Sequence, residues 1–524
     1  MRINNCKWLV VCISAGSLKI SSAASASWIL NPVNSDWYTA ANWSPPNVPT
    51  DLAEFHVSNQ PSITFSVDGT TNISQILFGT DASSYTFSVA PGQALGVEGD
   101  GIINSSGQIQ TFVAEAGDSG SFAEVFLTLD ATASELVSFT SAGASSAGGG
   151  AGEIAFVDFA SANGSTIVNE GGRVIGAAGG LAMFAISADA GNATISNEAG
   201  VVTGSLGGTT QFTFSSRAAT AVITSEGATV SGAGGGITTF EDTSNAGSAV
   251  LIANGGANGG SGGSIEFVEN SSGVSARVEV FGNGKLDISG LTNSSLGIGS
   301  LEGDGQVFLG NKKLNVGLNN LSTLFSGTIQ NNGSLGKMGA GTLTLSGANS
   351  YTGATTVSAG ALKIANRTGS ATGTGAVTVN AGSLGGRGTI AGATTIGTGS
   401  GAGAFLEPSV GAMQPATTTI QSLLTFKADG SYTYKVNTKK ARADEVVANG
   451  VTIESGAQFN FSAIANKRLP LGSVFVAISN TSASPISGTF ANLADGSIFT
   501  AGKNKYQASY TGGDGNDLTL TVVP

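Results

Sequence analysis

An all-β solenoid, with short strands of successive coils stacked on one another, is the fold class this sequence predicts, and three observations lead to it. Phe156, Phe184, Phe212 and Phe240 recur at a constant step of 28, and Phe267 follows one position short of that step. In residues 335–366, GTLTL and TTVSAGALKIA set Leu, Val and Ile against small polar residues at every second position, the period of strands with one buried face. Glycine supplies 79 of 524 residues while charged residues are only 11%, against roughly 25% in ordinary globular proteins. A chain poor in charge and rich in Gly, Ser, Thr and Ala suits coils covered by small polar side chains. An apolar fraction of 40% argues against a disordered acidic tail, and no Gly-X-Y period points to collagen.

The repeat occupies about 153–280. Ile167, Ile195, Ile223 and Leu251 recur at the same step, and Val278 again falls one position short. Glycine pairs at 179–180, 207–208, 235–236 and 262–263 mark the seams, and a weaker copy with Phe139 in the Ile slot precedes them. Such a fixed period predicts stacked supersecondary units. A length of 28 suits one coil of three short faces joined by turns. Phenylalanine flanked by small residues predicts an interior ladder rather than an exposed aromatic stripe.

At the start of the chain, Arg2 and Lys7, the short apolar run 8–18 and the triplet Ala24-Ser25-Ala26 predict a secretory signal peptide, residues 1–26, cleaved near Ala26. The run is too short for a membrane anchor. Cys6 and Cys12 fall inside it, so the mature chain is expected to lack disulfides and thiolate chemistry. The whole chain carries a net charge of −12, and loss of Arg2, Lys7 and Lys19 makes it −15. That balance disfavours nucleic acid and anionic lipid surfaces as partners. Residues 27–60 hold Trp28, Trp37 and Trp43. They are expected to cap the open first coil, because terminal repeats need covering; a sugar-stacking patch is the alternative. Residues 61–393 follow as the coiled body, and 394–524 as a β-rich closing region.

Residues 335–366, LGKMGAGTLTLSGANSYTGATTVSAGALKIAN, resemble the autotransporter-associated β-strand repeat. Leu335, Lys337, Gly339, Gly341, Thr342, Leu343, Leu345, Gly347, Asn349, Tyr351, Gly353, Thr355, Val357, Gly360 and Leu362 fall on its pattern. The segment DWYTAANWSPPNVP is similar to the opening motif of such chains, and 394–524 to their closing region. The departure there is Glu407-Pro408-Ser409, where the family has a small residue and then Pro-Gly. The resemblance implies a right-handed parallel β-helix exported to the bacterial surface or medium. It covers the passenger, roughly 27–524, and not the translocator β-barrel that a complete autotransporter carries. The residues of the motif take scaffold roles: Asn349 is expected to stack on asparagines of adjacent rungs, and Tyr351 to cover a rung corner.

Candidates for chemistry are few. His56 is the one histidine, and without cysteine or a second histidine it builds no zinc site. Gly512–Asp517 (GGDGND) resembles a single calcium-binding nonapeptide, but Thr519 stands where a large apolar residue is required, so a turn is expected. The glycines at 148–152 lack the lysine and helix of a phosphate loop. Asp158, Glu170, Glu198, Glu241, Asp242, Glu266 and Glu269 are scattered through the repeats, and Glu170 and Glu198, one repeat step apart, could stack as an acid–base pair. That pair is the best case for the alternative function, a polysaccharide lyase or glycoside hydrolase on the same scaffold. The leading expectation is a non-catalytic structural and adhesive rod, outer-membrane associated or secreted, with no catalytic, cofactor-binding or metal-binding residues. Its partners would be extracellular polysaccharide or host and matrix protein, and the export machinery. A third possibility is an element that aids its own export.

Overall fold

The computed structural model describes residues 23–118, 120–401, 403–409 and 414–524. The expected signal segment, with both cysteines, lies outside the described residues as far as position 22. Among the described residues the only helical element is the 3₁₀ turn Ala40–Asn42. The chain divides into two compact units, Met1–Ser272 and Gly273–Pro524.

In the first unit the strands form two parallel ladders. One runs through Leu52–Phe55, Gly69–Phe78, Gln93–Asn104, Glu124–Leu127, Glu153–Phe156, Leu181–Phe184, Thr209–Phe212, Ile237–Phe240 and Ser264–Phe267. The other runs from Ser62–Thr64 and Thr86–Val89 through Thr166–Asn169 to Val250–Ala253. The repeat step sets the register: Phe156, Phe184, Phe212, Phe240 and Phe267 pair in turn, and Phe139 pairs with Ile167. Ring centroids in the Phe column lie 4.8–4.9 Å apart and nearly parallel, at 5–11°. Each ring is fully buried, so one strand spacing, about 4.8 Å, serves both the backbone bonds and the aromatic contact.

A second interior column is polar. Ser141 donates to Asn169 Oδ1 (2.6 Å), Asn169 Nδ2 to Asn197 Oδ1 (2.7 Å), and Asn197 Nδ2 to Thr238 Oγ1 (3.0 Å). Thr210 bridges Asn169 and Asn197. Inside a protein such groups are tolerated only when partnered, and the repeat supplies the partner one coil above.

The third side of these coils holds no full strand: a parallel column of single bridges runs through Ser161, Asp189, Arg217, Asn245 and Ser272. Loops at the seam also stack, with Arg173 N–H on the Ala144 carbonyl and Val201 N–H on the Gly172 carbonyl. The glycines explain it. A Cβ on Gly179 would sit 2.2 Å from the Gly207 carbonyl oxygen, and one on Gly207 2.2 Å from that of Gly235. Backbone meets backbone too closely for pleated strands with side chains.

The Trp-rich segment lies at the edge of the first ladder. Ala26–Trp28 pairs antiparallel with Trp43–Ser44 and parallel with Leu52–Phe55. Ala24, in the expected cleavage triplet, already lies on this edge, its carbonyl accepting the N–H groups of Thr50 and Asp51. Trp28, Trp37 and Trp43 are at most 2% exposed. Their rings meet edge to face at 4.9–5.0 Å, above Phe55.

The second unit does carry three-sided coils, and they are shorter. Leu343 pairs with Leu362 and Leu362 with Leu384, so successive coils advance by 19 and then 22 positions. One ladder runs from Ser295–Ile298 to Val451–Ile453. At the C-terminal end the parallel order gives way to antiparallel pairing of Val474–Asn480, Asp517–Val523, Asn504–Gly512 and Ile498–Ala501. Gly512–Asp517 is the turn between two of these strands.

Candidate functional site

Residues 335–366 are the part of the chain with a sequence signature, and the structure shows what each polar member does. Lys337 ends the strand Ser334–Lys337 and is only 1% exposed. Its ammonium donates to the carbonyls of Met338, Gly339 and Ala359 at 2.5–3.3 Å, one acceptor for each of its three hydrogens. Burial pulls its pKa down to about 8. Replacing Lys337 with methionine leaves three turn carbonyls without their donor. The expected loss is about 1–3 kcal/mol, read from the urea midpoint of the purified chain. Asn349 does not stack on other asparagines. It accepts from Ile329 N (2.7 Å) and donates to the Ala371 carbonyl (2.6 Å), tying the coil below to the coil above. A turn asparagine gains more from two backbone partners than from one amide neighbour. Tyr351 is wholly buried, its hydroxyl 2.6 Å from Thr355 Oγ1.

The other candidates are dispersed. His56 lies beside the cap, half-exposed, with Nδ1 2.6 Å from Asp81 and Nε2 3.3 Å from Glu54. The Asp81 hydrogen bond is the main cause holding its pKa above the ordinary value. Both ring nitrogens face carboxylates, so the imidazole has no free nitrogen to act as a base toward a hydroxyl. Glu170 binds Arg173 at 2.6 Å and accepts from Gly143 N. Burial first, then the charges of Glu170 and Glu226, raise the Glu198 carboxyl. Among the described residues no three His, Cys, Asp or Glu side chains are placed to hold a metal ion.

Three acids of the repeat, Asp158, Asp242 and Glu269, share one task that the sequence did not disclose. Each coil leaves the Phe ladder through a non-glycine residue with positive φ: Leu129 (58°), Asp158 (60°), Ile186 (66°), Phe214 (55°), Asp242 (52°) and Glu269 (55°). The residue one coil on can cap the amide beneath it. Asp158 accepts from Thr128 Oγ1, Asp242 from Phe214 N, and Glu269 from Asp242 N. Left-handed backbone costs an L-residue about 1–2 kcal/mol. Leu129 is 53% exposed, so its side chain returns little. Leu129→Asn is expected to stabilise the chain by about 0.5–1 kcal/mol, measured by thermal and urea unfolding. On the outward face of the same ladder, Glu124 and Glu153 are paired neighbours. Each has a carboxylate oxygen without a hydrogen-bond partner. Burial raises Glu124 to about 7, and burial plus the Glu124 charge raises Glu153 to about 8.

Glu407-Pro408-Ser409 has its own polar support. Glu407 is ion-paired with Lys435. Lys363 donates to the Glu407 and Ser409 carbonyls (3.3 and 3.1 Å), and Ser409 Oγ donates to the buried Asp444 (2.6 Å).

Against known proteins, residues 335–364 match the family model described as passenger-associated-transport-repeat. A 91-residue stretch is 41% identical to the adhesin BmaC autotransporter of Brucella suis biovar 1 (strain 1330), covering 17% of this chain and 3% of that protein. The crystal structure of the Haemophilus influenzae Hap adhesin aligns over 91% of this chain and 64% of its own, at 11% identity and a TM-score of 0.26. The chain is similar to autotransporter passengers over one matched transport repeat, which is built into a stack of parallel coils.

Proposed function

We propose that the chain is a non-catalytic, exported bacterial β-helix that acts as an adhesive rod at the cell surface or in the medium. It displays repetitive faces to extracellular glycans or to host and matrix proteins. The observation that carries this reading is the transport repeat at 335–364. Its lysine and asparagine bind neighbouring coils together and its tyrosine is buried against Thr355, and the likeness to an autotransporter adhesin points the same way. Export would use the N-terminal signal, cleaved near Ala26. No helix among the described residues is long and apolar enough to cross a membrane.

The test uses the purified chain from Ser27 on a panel of polysaccharides and matrix proteins. Bound protein and released reducing ends or unsaturated sugar are read in the same wells. Binding without release is the expected result. Product release that disappears in Glu170→Gln or Glu198→Gln would instead make the chain a glycan-cleaving enzyme.

A further inference from the structure

The net charge of the chain hides a strong asymmetry. Residues 27–272 contain two basic residues, Arg173 and Arg217, against 22 acidic ones. Residues 273–524 contain 17 basic against 12 acidic. Seven of those 17 lie on three short segments: Lys439, Lys440 and Arg442; Lys467 and Arg468; Lys503 and Lys505. All seven are exposed.

The three segments are fastened to one another. Asn466 Oδ1 accepts from Lys503 N (3.0 Å), and Asn504 Oδ1 accepts from Leu469 N (2.7 Å) while its Nδ2 donates to the Lys467 carbonyl (3.0 Å). Thr438 Oγ1 accepts from Lys467 N (3.0 Å). The result is an open trough of about 690 Å³ lined by Lys439, Ala465, Asn466, Lys467, Arg468 and Lys503. Lys435, on the strand leading to it, and Lys427, just before that strand, are each paired with a glutamate. Among the described residues, none of the seven cations of the trough and its rim has a carboxylate partner. Like charges gathered without counter-charge repel one another, and an anion placed among them relieves that repulsion.

We propose that this trough binds an acidic polysaccharide, its sulfates or uronate carboxylates seated among Lys439, Lys467, Arg468 and Lys503. The proposal rests on the adhesive reading and names the chemistry of its ligand. No apolar side chain larger than alanine lines the trough, so an acyl chain or an apolar peptide has nothing to bury against. Arg468 offers the planar fork that takes a carboxylate or sulfate through two hydrogen bonds. The trough falls within the usual size of a ligand site, about 300–1,000 Å³, and its open form suits a segment of polymer rather than a single ion.

The experiment uses the full purified chain and four immobilised probes: a sulfated heparin oligosaccharide, polygalacturonate, neutral dextran and phosphatidylglycerol vesicles. The first two are expected to bind, with affinity falling as salt rises, and dextran is not. The variant Lys439→Gln, Lys467→Gln, Arg468→Gln, Lys503→Gln should lose at least tenfold in affinity for the acidic glycans, while Lys467→Arg, Lys503→Arg should keep it. Circular dichroism and urea midpoints check folding. Should the fourfold variant fail to fold, Lys439→Gln and Lys503→Gln alone should each lose two- to threefold. Unchanged binding in the folded variants, binding to vesicles alone, or no polyanion binding overturns the proposal. So does sedimentation showing that the trough holds a second copy of this acidic chain instead. Beads coated with the wild-type chain separate the two readings. Adhesion to cells or matrix without acidic-glycan binding removes this inference and leaves the adhesive rod, whereas loss of all adhesion removes both.

Discussion

Phe212→Ala is expected to destabilise the first unit by about 3–5 kcal/mol and to split its unfolding into two steps. Phe212 sits in the middle of the column, 4.8 Å from the rings of both Phe184 and Phe240. Removing it loses the transfer energy of one buried ring and the facing contacts of two others. The surrounding coils cannot close the gap, because their spacing is fixed by backbone bonds from Leu181–Phe184 to Thr209–Phe212 and on to Ile237–Phe240. In a stacked protein, stability is a sum of coil and nearest-neighbour terms. A cavity at one interface therefore uncouples the coils on either side. Urea unfolding followed by tryptophan fluorescence reports the end bearing Trp28, Trp37 and Trp43, and circular dichroism reports the whole. The two probes should coincide in the wild type and separate in the variant; coincidence in both would refute the ladder as the coupling element.

The second large effect is a dependence on pH. In the unfolded chain Glu124 and Glu153 lose their protons near the ordinary carboxylate value. In the fold, burial holds Glu124 to about 7, and burial with the Glu124 charge holds Glu153 to about 8. Both folded values are raised, so between pH 4.5 and 8 the native state binds more protons than the unfolded state. Stability contributed by the pair is full below about pH 4.5 and declines as pH rises to about 8. Glu153→Gln keeps the shape and removes the charge. It should gain about 3–5 kcal/mol over the wild type at pH 9 and differ little at pH 4.5. Equal pH slopes in wild type and variant would show that the pair stays hydrated and ordinary.

How much of this could be read beforehand depends on whether a position tolerates substitutes. The Phe column was legible because a stack of rings 4.8 Å apart admits the same ring in every coil. The polar column beside it was not, since Ser141, Asn169, Asn197 and Ser225 differ in kind and are united only by hydrogen bonding in register. The positive-φ turns were hidden because Leu129, Ile186 and Phe214 occupy them where glycine would have announced them. Glu124 and Glu153 stand one position out of step with the repeat and become a pair only through strand register. The cations of the trough are spread over positions 439–505 and surfaced only when Asn466 and Asn504 were seen to bind the loops together. Net charge, the quantity that spoke against anionic partners, averaged over an acidic half and a basic half. In the transport repeat, the motif was visible in full, yet the role of Lys337 required the three carbonyls around its ammonium.

Stacking coils by parallel ladders has a mechanical consequence. When such a stack is pulled from one end, the load falls on the few hydrogen bonds of the outermost coil, and each coil acts as a fuse for the next. In the Phe-ladder region each rupture would free one repeat, about 90–100 Å of extended chain. Single-molecule stretching should give a run of steps of that length, and a surface protein built this way would yield to shear by lengthening one coil at a time while the remaining coils keep their grip.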